Sequence, residues 1–211
     1  MKILVIGAAG RTGRLVVDQA VGRGHIVTAL ARRPAQGPGR APQAEVRGDA
    51  TDPKVLREAL QGQDAVVAAV GSSAILRALI PAMAGAGVDR LVMTSSRSIV
   101  ATRPKAVVAV MWVLLRSAYA DLARAEGMLE MSELDWTIVR GSMLTDDAGA
   151  GKVHTDFEAD ATGGDHRLPR ADYAMALLDA VEDDSLVRRA VGVGGIRTGS
   201  RSKGGAKTKT G

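Results

Sequence analysis

Continuous apolar runs alternate with amphipathic segments along most of this chain. Runs such as Ile3–Ile6 and Ala65–Val70 are typical of strands that are buried on both faces of a parallel sheet. The stretch from Leu15 to Val21, in which apolar residues recur at helical spacing, is typical of a helix that packs on such a sheet. Strands that alternate with helices in this order predict a single α/β domain built on a doubly wound parallel sheet.

The same patterns set approximate bounds for the remaining elements. We predict further strands near Ile26–Ala31, Ala44–Arg47, Asp89–Thr94, Asp135–Val139 and Ala190–Gly194, and helices over residues 54–61, 73–85, 105–131 and 170–181. Right-handed crossovers would bring the carboxyl ends of the parallel strands to one edge, where sheets of this Rossmann type bind their ligands. The Gly- and Asp-rich segment 145–168 interrupts the alternation, and we expect it to cover the substrate side of that edge.

Three glycines at spacing three, Gly7, Gly10 and Gly13, lie between the first strand and the first helix. Glycines allow φ > 0 in the turn, close approach of a ligand to the backbone, and close packing of the helix on the sheet. The helix N-terminus offers N–H groups and a partial positive charge that suit a pyrophosphate. The spacing differs from the dehydrogenase-type G-x-G-x-x-G, so the prediction depends on the position of the turn. We favour a dinucleotide-binding turn over an ordinary βα turn.

A pair of arginines, Arg32 and Arg33, follows the second predicted strand, and no acidic residue lies between Asp18 and Glu45. An acidic side chain there usually holds a free ribose 2′-hydroxyl, whereas arginine accommodates a 2′-phosphate. Arg11, inside the glycine turn, could add a second cation. NADP(H) is therefore favoured over NAD(H) as the cofactor; the alternative is two solvated arginines at the end of a strand.

Three further positions at the ends of predicted strands suit the rest of a dinucleotide. Asp49 could accept a hydrogen bond from the adenine amino group, or it could form only an Asx turn. Gly71 would let the backbone approach the ribose and pyrophosphate. Ser95, followed by Ser96, would lie where a nicotinamide ring meets its substrate. Its hydroxyl could donate to a substrate carbonyl, or it could only cap the next helix.

Composition narrows the choice of function. Aromatic residues make up only 2% of the chain, which argues against a protein that stacks the bases of single-stranded nucleic acid. There is no cysteine, so disulfides and thiolate metal sites are excluded, and isolated histidines show no metal-ligand spacing. We therefore expect no metal. Because no signal-peptide pattern and no apolar stretch of membrane-spanning length is present, we expect a soluble cytoplasmic protein.

The basic balance of the chain comes from its C-terminal end. The sequence has 28 Lys and Arg against 23 Asp and Glu, and residues 195–211 contain five of the basic residues and none of the acidic ones. This Gly-, Ser- and Lys-rich segment has few apolar side chains, so we expect residues 1–194 to form the domain and residues 195–211 to form a disordered tail. The tail would aid solubility, or contact RNA or acidic surfaces non-specifically. Sequence-specific recognition of nucleic acid is not indicated.

Five motifs in the right order resemble those of atypical short-chain dehydrogenase/reductase proteins of the NAD(P)H-binding, NmrA-like kind. They are residues 7–13, Gly48–Asp52, Thr94–Ser96, Leu134–Arg140 and Pro169–Ala174. Within that family the chain is most similar to the branch of flavin reductase and biliverdin reductase B. The resemblance implies a Rossmann domain with little or no substrate domain, NADP(H) binding and, often, NADPH-dependent reductase activity.

Site residues carried over by motif follow from this resemblance. It implies pyrophosphate contacts from the glycine turn, 2′-phosphate contacts from the arginine pair, adenine contacts after the third strand and nicotinamide contacts after the fifth. The residues concerned are Gly7, Gly10, Arg11, Thr12 and Gly13, then Arg32 and Arg33, then Asp49 and Ala50, and finally Thr94 and Ser95.

The chain also departs from the family pattern. Short-chain dehydrogenases that oxidise alcohols pair a Tyr with a Lys four residues later, but four residues after the candidate Tyr119 stands Ala123. Arg124 projects about 140° around the helix from Tyr119 and cannot replace that Lys. Tyr119 is therefore either a general acid or a partly buried helix residue. The flavin-reductase-like branch also tends to have Pro where this chain has Gly141.

Two functions remain compatible with these features. The first is an NADPH-dependent reductase that transfers hydride to a small planar acceptor such as a flavin or quinone, with Ser95 and Tyr119 as candidate catalytic residues and His154 or His166 as candidate proton donors. The second is a non-catalytic redox sensor that binds NADP(H) and regulates a partner. The apolar stretch Met111–Leu115 would pack in the core or, if exposed, support a homodimer or form an apolar lid over a ligand.

Overall fold

The computed structural model describes residues 1–34, 38–100, 105–157 and 163–196, with only the backbone of residues 105–114. The described strands are β1 (Lys2–Ile6), β2 (Ile26–Ala31), β3 (Ala44–Arg47), β4 (Ala65–Ala68), β5 (Arg90–Ser96), β6 (Asp135–Gly141), β7 (Met143–Thr145), β8 (His154–Asp156), β9 (Arg167–Pro169) and β10 (Arg189–Gly194). The described helices are α1 (Arg11–Gly22), α2 (Pro53–Ala59), α3 (Ser73–Ala86), α4 (Lys105–Glu130) and α5 (Arg170–Glu182), with short 3₁₀ helices at Arg97–Ile99 and Asp184–Leu186.

One eight-stranded sheet organises the domain, in the order β3-β2-β1-β4-β5-β6-β10-β8. Every neighbouring pair is parallel except β10 and β8, which run antiparallel. The strands β7 and β9 form a separate parallel pair. β1 lies between β2 and β4, so the strand order reverses there. The predicted doubly wound α/β fold is confirmed, and this reversal marks the edge where such sheets bind ligands.

Apolar side chains fill both faces of the sheet. On β1, Ile3 and Val5 pack with α1 and α5, whereas Leu4 and Ile6 pack with α2, α3 and α4. All four side chains are excluded from solvent, which is why the first strand is continuously apolar rather than alternating. Two complete helical layers therefore hold the carboxyl ends of the strands in fixed positions.

A buried arginine fixes α5 against the sheet. Arg90 on β5 donates to the carbonyl oxygens of Ala180 and Asp183 at the C-terminal end of α5, and to Thr137 Oγ1 on β6 at 2.9 Å. Burial lowers the pKa of Arg90 from its usual value. Because the cation lies at the negative end of the helix dipole, these contacts hold the C-terminal end of α5 against the amino end of β5.

The structure corrects several element bounds. β4 ends at Ala68 rather than at Val70, and β5 continues to Ser96. The segment 145–168 contains parts of three short strands that the sequence analysis missed, because three-residue strands are too short to show a hydrophobic period. α4 is bent at Leu115, where φ is −117° and ψ is 18°.

The folded part extends past the predicted boundary at residue 194. Gly195 exchanges backbone hydrogen bonds with Asp165, with N···O distances of 3.0 and 2.7 Å. Residues 197–211, most of the predicted tail, lie outside the described residues. The side chains of Met111–Leu114, on which the predicted homodimer depends, also lie outside them, and Leu115 is exposed.

Candidate dinucleotide-binding and active site

The glycine turn after β1 is tightly closed. Gly7 has a φ of +80°, and its carbonyl oxygen accepts from the N–H of Gly10 at 2.9 Å. A Cβ on Gly13 would lie 2.1 Å from that same carbonyl oxygen, so only glycine lets α1 start this close to the turn. Gly7 thus supplies the positive φ and Gly13 the close packing that the sequence predicted.

The N-terminus of α1 has no side-chain cap. Its N-cap residue is Gly10, and the first turn contains no acidic residue. By contrast, Asp52 caps α2 through Lys54 N at 2.8 Å, and Asp121 accepts from Ser73 N at 3.3 Å at the start of α3. Because first-turn N–H groups of a helix need an acceptor, the start of α1 fits a pyrophosphate bound at this turn.

Arg11 lies at the turn, but its guanidinium is already paired with a carboxylate. The exposed Arg11 guanidinium forms an ion pair with Asp146, and Asp146 also accepts from Arg170 Nη1 at 2.6 Å. The carboxylate thus bridges the first turns of α1 and α5, in a cleft of about 330 Å³. Thr12, the next predicted pyrophosphate residue, is half-buried in the first turn of α1.

The predicted adenine end of the site is exposed. Arg32 and Arg33 follow β2 directly and are both exposed. The Asp49 carboxylate accepts from Thr51 N at 2.9 Å and from Thr51 Oγ1 at 2.8 Å, which is an Asx turn. These two bonds, with a smaller contribution from Arg32, lower the pKa of Asp49. Ala50 is buried beside α2, so its side chain belongs to the core beneath this end.

Gly71 is required by close packing within the protein. A Cβ there would lie 2.3 Å from Leu122 Cδ2 on α4 and 2.7 Å from the carbonyl oxygen of Thr94 on β5. The sequence attributed this glycine to a close approach by the ligand. The packing against α4 and β5 requires glycine here independently of that approach.

The two neighbouring hydroxyls at the end of β5 point to opposite faces of the sheet, because side chains alternate along a strand. Thr94 Oγ1 forms a hydrogen bond with Tyr173 Oη on α5. Ser95 Oγ donates to Glu126 Oε1 on α4 at 2.6 Å. The prediction that Ser95 donates to a substrate carbonyl therefore needs correction, since its one proton is already engaged. Ser96, not Ser95, caps the following 3₁₀ helix through Ser98 N.

Glu126 is held by a buried ion pair. Arg140, at the end of β6, donates from Nη2 to Glu126 Oε2 at 2.7 Å and from Nε to Glu126 Oε1 at 3.1 Å. The Glu126 side chain is 6% exposed and that of Arg140 is 14% exposed. Two-point contact of this kind fixes both side chains, so Ser95, Glu126 and Arg140 form one network across β5, α4 and β6.

On the opposite face of the sheet, the buried Tyr173 forms the hydrogen bond with Thr94. Its hydroxyl donates to the Val139 carbonyl oxygen at 2.7 Å, and burial raises its pKa to about 12. A Cβ on Gly141 would lie 2.9 Å from the Tyr173 ring. The ring thus explains why glycine stands where the related branch tends to have Pro. The motif Pro169–Ala174 contains Tyr173, but nothing in that motif indicates this role.

Tyr119 lies on the same face of α4 as Leu122 and Glu126, at positions i, i+3 and i+7. It is buried, with 6% of its surface exposed. The exposed Arg124 forms an ion pair with Asp121, with 3.7 Å between Nη2 and Oδ1. Arg124 therefore does not replace the missing Lys, as the sequence predicted.

The segment after β7 is attached to the domain by buried carboxylates. Asp172 on α5 accepts from the N–H groups of Ala150 and Gly151 at 2.8 and 2.9 Å. Arg97 pairs with Asp156 at 3.2 Å, and both side chains are buried. His154 and His166, the candidate proton donors, are both exposed, and His166 Nδ1 lies 3.0 Å from Asp165. Both histidines therefore lie on the solvent side of this segment.

The described part of the chain contains no cluster of three His, Asp or Glu residues suited to a metal ion. None of the helices described there is both long enough and apolar enough to cross a membrane.

Comparison with solved structures supports the fold. A short-chain dehydrogenase/reductase from Veillonella parvula DSM 2008 in complex with NADP superposes with a TM-score of 0.82 at 19% identity, over 92% of this chain and 94% of that chain. ChuY, an anaerobillin reductase from Escherichia coli O157:H7, gives a TM-score of 0.78 at 21% identity, over 95% and 99%. An exported protein from Burkholderia pseudomallei, described as putative, gives 0.75 at 26% identity, over 92% and 98%.

A family model described as NAD(P)H-binding matches residues 7–184, from the glycine turn to the end of α5. The match covers the strands β2 to β9 and all five described helices, but neither β1 nor β10, and it contains every cofactor residue named above. The predicted family is thereby confirmed at this level, and the chain belongs to the NAD(P)H-binding family.

Proposed function

We propose that this protein is an NADPH-dependent reductase that transfers a hydride to a small planar acceptor, such as a flavin or a quinone. The observation that carries the proposal is the uncapped N-terminus of α1, followed by Arg32 and Arg33 where an acidic residue would favour NADH. The fold it shares with ChuY, itself called an anaerobillin reductase, is consistent with a planar acceptor.

The two ends of the bound nucleotide would be held differently. N–H groups of the first turn of α1 would donate to the pyrophosphate, and Arg32 and Arg33 would contact the 2′-phosphate. Asp49 and Ala50 would border the adenine, while Thr94 and Ser95 would lie beside the nicotinamide. Gly7 and Gly13 would act indirectly, because they let α1 begin close to the turn.

NADPH would supply the hydride, so the protein has to orient two rings rather than activate a nucleophile. The hydroxyls of Thr94 and Ser95 on β5 are hydrogen-bonded from opposite faces of the sheet, which gives the required rigidity. Four residues after Tyr119 stands Ala123 rather than Lys, so Tyr119 lacks the Lys partner of the alcohol-oxidising enzymes. Solvent at the exposed edge would therefore supply the proton to the reduced product.

A binding titration of NADPH against NADH tests the phosphate assignment. We expect the wild type to prefer NADPH by more than tenfold, and Arg32→Ala/Arg33→Ala to lose at least a tenfold preference, roughly 1.4 kcal/mol. Arg57→Ala/Arg77→Ala removes the same charge from exposed positions on α2 and α3 and should keep the preference. A wild-type preference below tenfold would contradict the assignment.

Turnover is tested by following NADPH oxidation with a panel of flavins, quinones and linear tetrapyrroles. Oxidation with at least one of these acceptors supports the reductase. The second candidate, a non-catalytic NADP(H) sensor, is favoured by Ala123 in place of Lys and by the engagement of Arg124 with Asp121. Tight NADPH binding without oxidation by any acceptor would support the sensor instead.

A further inference from the structure

We propose that Glu126 and Arg140 fix the Ser95 hydroxyl as a hydrogen-bond acceptor, so that the site selects a ring carrying an N–H group at this point. The inference rests on the proposed binding of NADPH, and it assigns positioning roles to Glu126 and Arg140. It also reverses the direction of the hydrogen bond that the position of Ser95 alone suggested.

Ser95, Glu126 and Arg140 differ in the hydrogen-bond donors that they offer. A serine hydroxyl has one proton and two acceptor lone pairs, and an arginine has donors only. Glu126 Oε1 receives the Ser95 proton at 2.6 Å and Arg140 Nε–H at 3.1 Å, while Oε2 receives Arg140 Nη2–H at 2.7 Å. Every described partner of this carboxylate is thus a donor, so Ser95 cannot turn its proton elsewhere without leaving an oxygen of Glu126 underpaired.

Burial makes this arrangement costly to change. Ser95 is 8% exposed and the Glu126 side chain 6% exposed, so water cannot readily take the place of the serine proton. On the opposite side, the Tyr173 hydroxyl lies 3.3 Å from the carbonyl oxygen of Ser95, not from its hydroxyl. Ser95 Oγ can therefore interact with a ligand only as a hydrogen-bond acceptor, through its lone pairs.

Two N–H groups could donate a hydrogen bond to Ser95 Oγ. The carboxamide N–H₂ of the nicotinamide is one, and a ring N–H of the planar acceptor is the other. A bare carbonyl oxygen placed against Ser95 would face lone pairs, and its binding would be weakened.

Replacing Glu126 by Gln should reverse the direction of the hydrogen bond between residue 126 and Ser95. Arg140 is closest to Oε2, at 2.7 Å, so the amide oxygen of Gln should take that position. The amide nitrogen would then stand where Oε1 was and donate to Ser95 Oγ, and the Arg140 Nε–H, which lies 3.1 Å from Oε1 in the wild type, would lose its acceptor. The serine proton would be released toward the ligand, which would favour a carbonyl group.

The test compares the dissociation constants of NADPH and its 3-acetylpyridine analogue, in which a methyl ketone replaces the carboxamide. If the carboxamide is the partner, the wild type should bind the analogue at least tenfold more weakly. Glu126→Gln should reduce this ratio at least threefold, and Ser95→Ala should bring it close to one. In Ser95→Ala/Glu126→Gln the effect of the glutamine on the ratio should vanish.

If the planar acceptor is the partner, the ratio of the two nucleotides is unchanged among these proteins. The KM for a flavin should then rise at least tenfold on N3-methylation in the wild type, and this rise should disappear in Ser95→Ala. Unchanged selectivity in both arms would overturn the inference, while leaving NADPH oxidation intact. Failure to bind either nucleotide would overturn the proposed function as well.

The ratios separate positioning from a merely structural role, because a general loss of packing would weaken both nucleotides equally. If Glu126→Gln does not fold, Ser95→Ala still decides the point, since it leaves the Glu126–Arg140 pair in place. A ratio in Ser95→Ala equal to that of the wild type, with no change in flavin selectivity, contradicts the assignment.

Discussion

The adenine end and the nicotinamide end of the proposed site are built in different ways. At the adenine end, Arg32, Arg33 and Asp49 are exposed, and each takes its position from the end of a single strand or a local turn. At the other end, Thr94 and Ser95 are held by side chains from α5 and α4, far away in the sequence. The first arrangement provides charge, and the second provides orientation.

The difference matters energetically. Ion pairs in water contribute about 0–1 kcal/mol, whereas breaking a buried pair by removing one partner costs about 3–5 kcal/mol. Substitutions at the buried end should therefore affect stability and function together. Substitutions at the exposed end should affect nucleotide binding alone.

The strongest test of this contrast is Glu126→Ala. It leaves the Arg140 guanidinium buried without its carboxylate, so we expect the free energy of unfolding to fall by about 3–5 kcal/mol. Urea denaturation measures the change. Arg32→Ala, at the exposed end, is the control and should leave the unfolding midpoint unchanged. A loss below about 1 kcal/mol in Glu126→Ala would show that the buried pair is not a structural determinant of this end.

The pH dependence of stability tests the environment of Tyr173. Its pKa of about 12 lies above the value of about 10 in an unfolded chain. The neutral phenol therefore stabilises the fold fully below pH 10, and this contribution is lost as the pH rises toward 12. Between these limits the loss should be about 1.4 kcal/mol per pH unit.

Tyr173→Phe isolates this contribution. Below pH 10 the variant should be less stable than the wild type by about 1 kcal/mol, since the hydrogen bond to Val139 is lost. Above pH 10 the difference should shrink and then change sign. A difference that stays constant from pH 9 to pH 11.5 in denaturant titrations would contradict the buried placement of the hydroxyl.

Gly13→Ala tests the glycine turn. The new methyl group would overlap the Gly7 carbonyl, so α1 must shift, and we expect a loss of about 1–3 kcal/mol in stability. NADPH affinity should fall at least tenfold. Gly85→Ala, in α3 with open space around its Cβ position, is the matched control and should stabilise the protein by up to about 1 kcal/mol.

The smallest effect is expected at Asp146. Asp146→Asn removes a negative charge beside the N-terminus of α1 and releases Arg11, so NADPH affinity should rise about two- to fivefold. Asp147→Asn removes the neighbouring charge, which pairs with Arg167 instead, and should leave the affinity unchanged. NADPH affinity is measured by fluorescence titration at low salt. Equal changes in affinity in both variants would mean that the ion pair with Asp146 does not reduce the contribution of Arg11 to NADPH binding.

The sequence predicted the elements that depend on local patterns. The strand–turn–helix around Gly7–Gly13 and the Asp52 cap of α2 were both expected, because a buried strand and a capping side chain are recorded in adjacent residues. The short strands β7 to β9 were missed. β7 pairs with β9, and β8 is held by the ion pair of Asp156 with Arg97, so each strand depends on a partner far away in the sequence.

The nicotinamide end could be predicted only in part. The position of Ser95 followed from the end of a predicted strand, but the direction of its hydrogen bond depends on Glu126, 31 residues later. Nothing in the spacing of Glu126 and Arg140 indicates that they pair across α4 and β6. Their burial could be expected only once the packing of α4 on the sheet was known.

Because Gly141 packs against the Tyr173 ring, substitutions at these two distant positions depend on each other. Any side chain at position 141 has to displace the ring, so a proline or alanine there requires a smaller residue at position 173. In related chains the two sites should therefore covary, and a side chain at position 141 should be tolerated only after position 173 has changed.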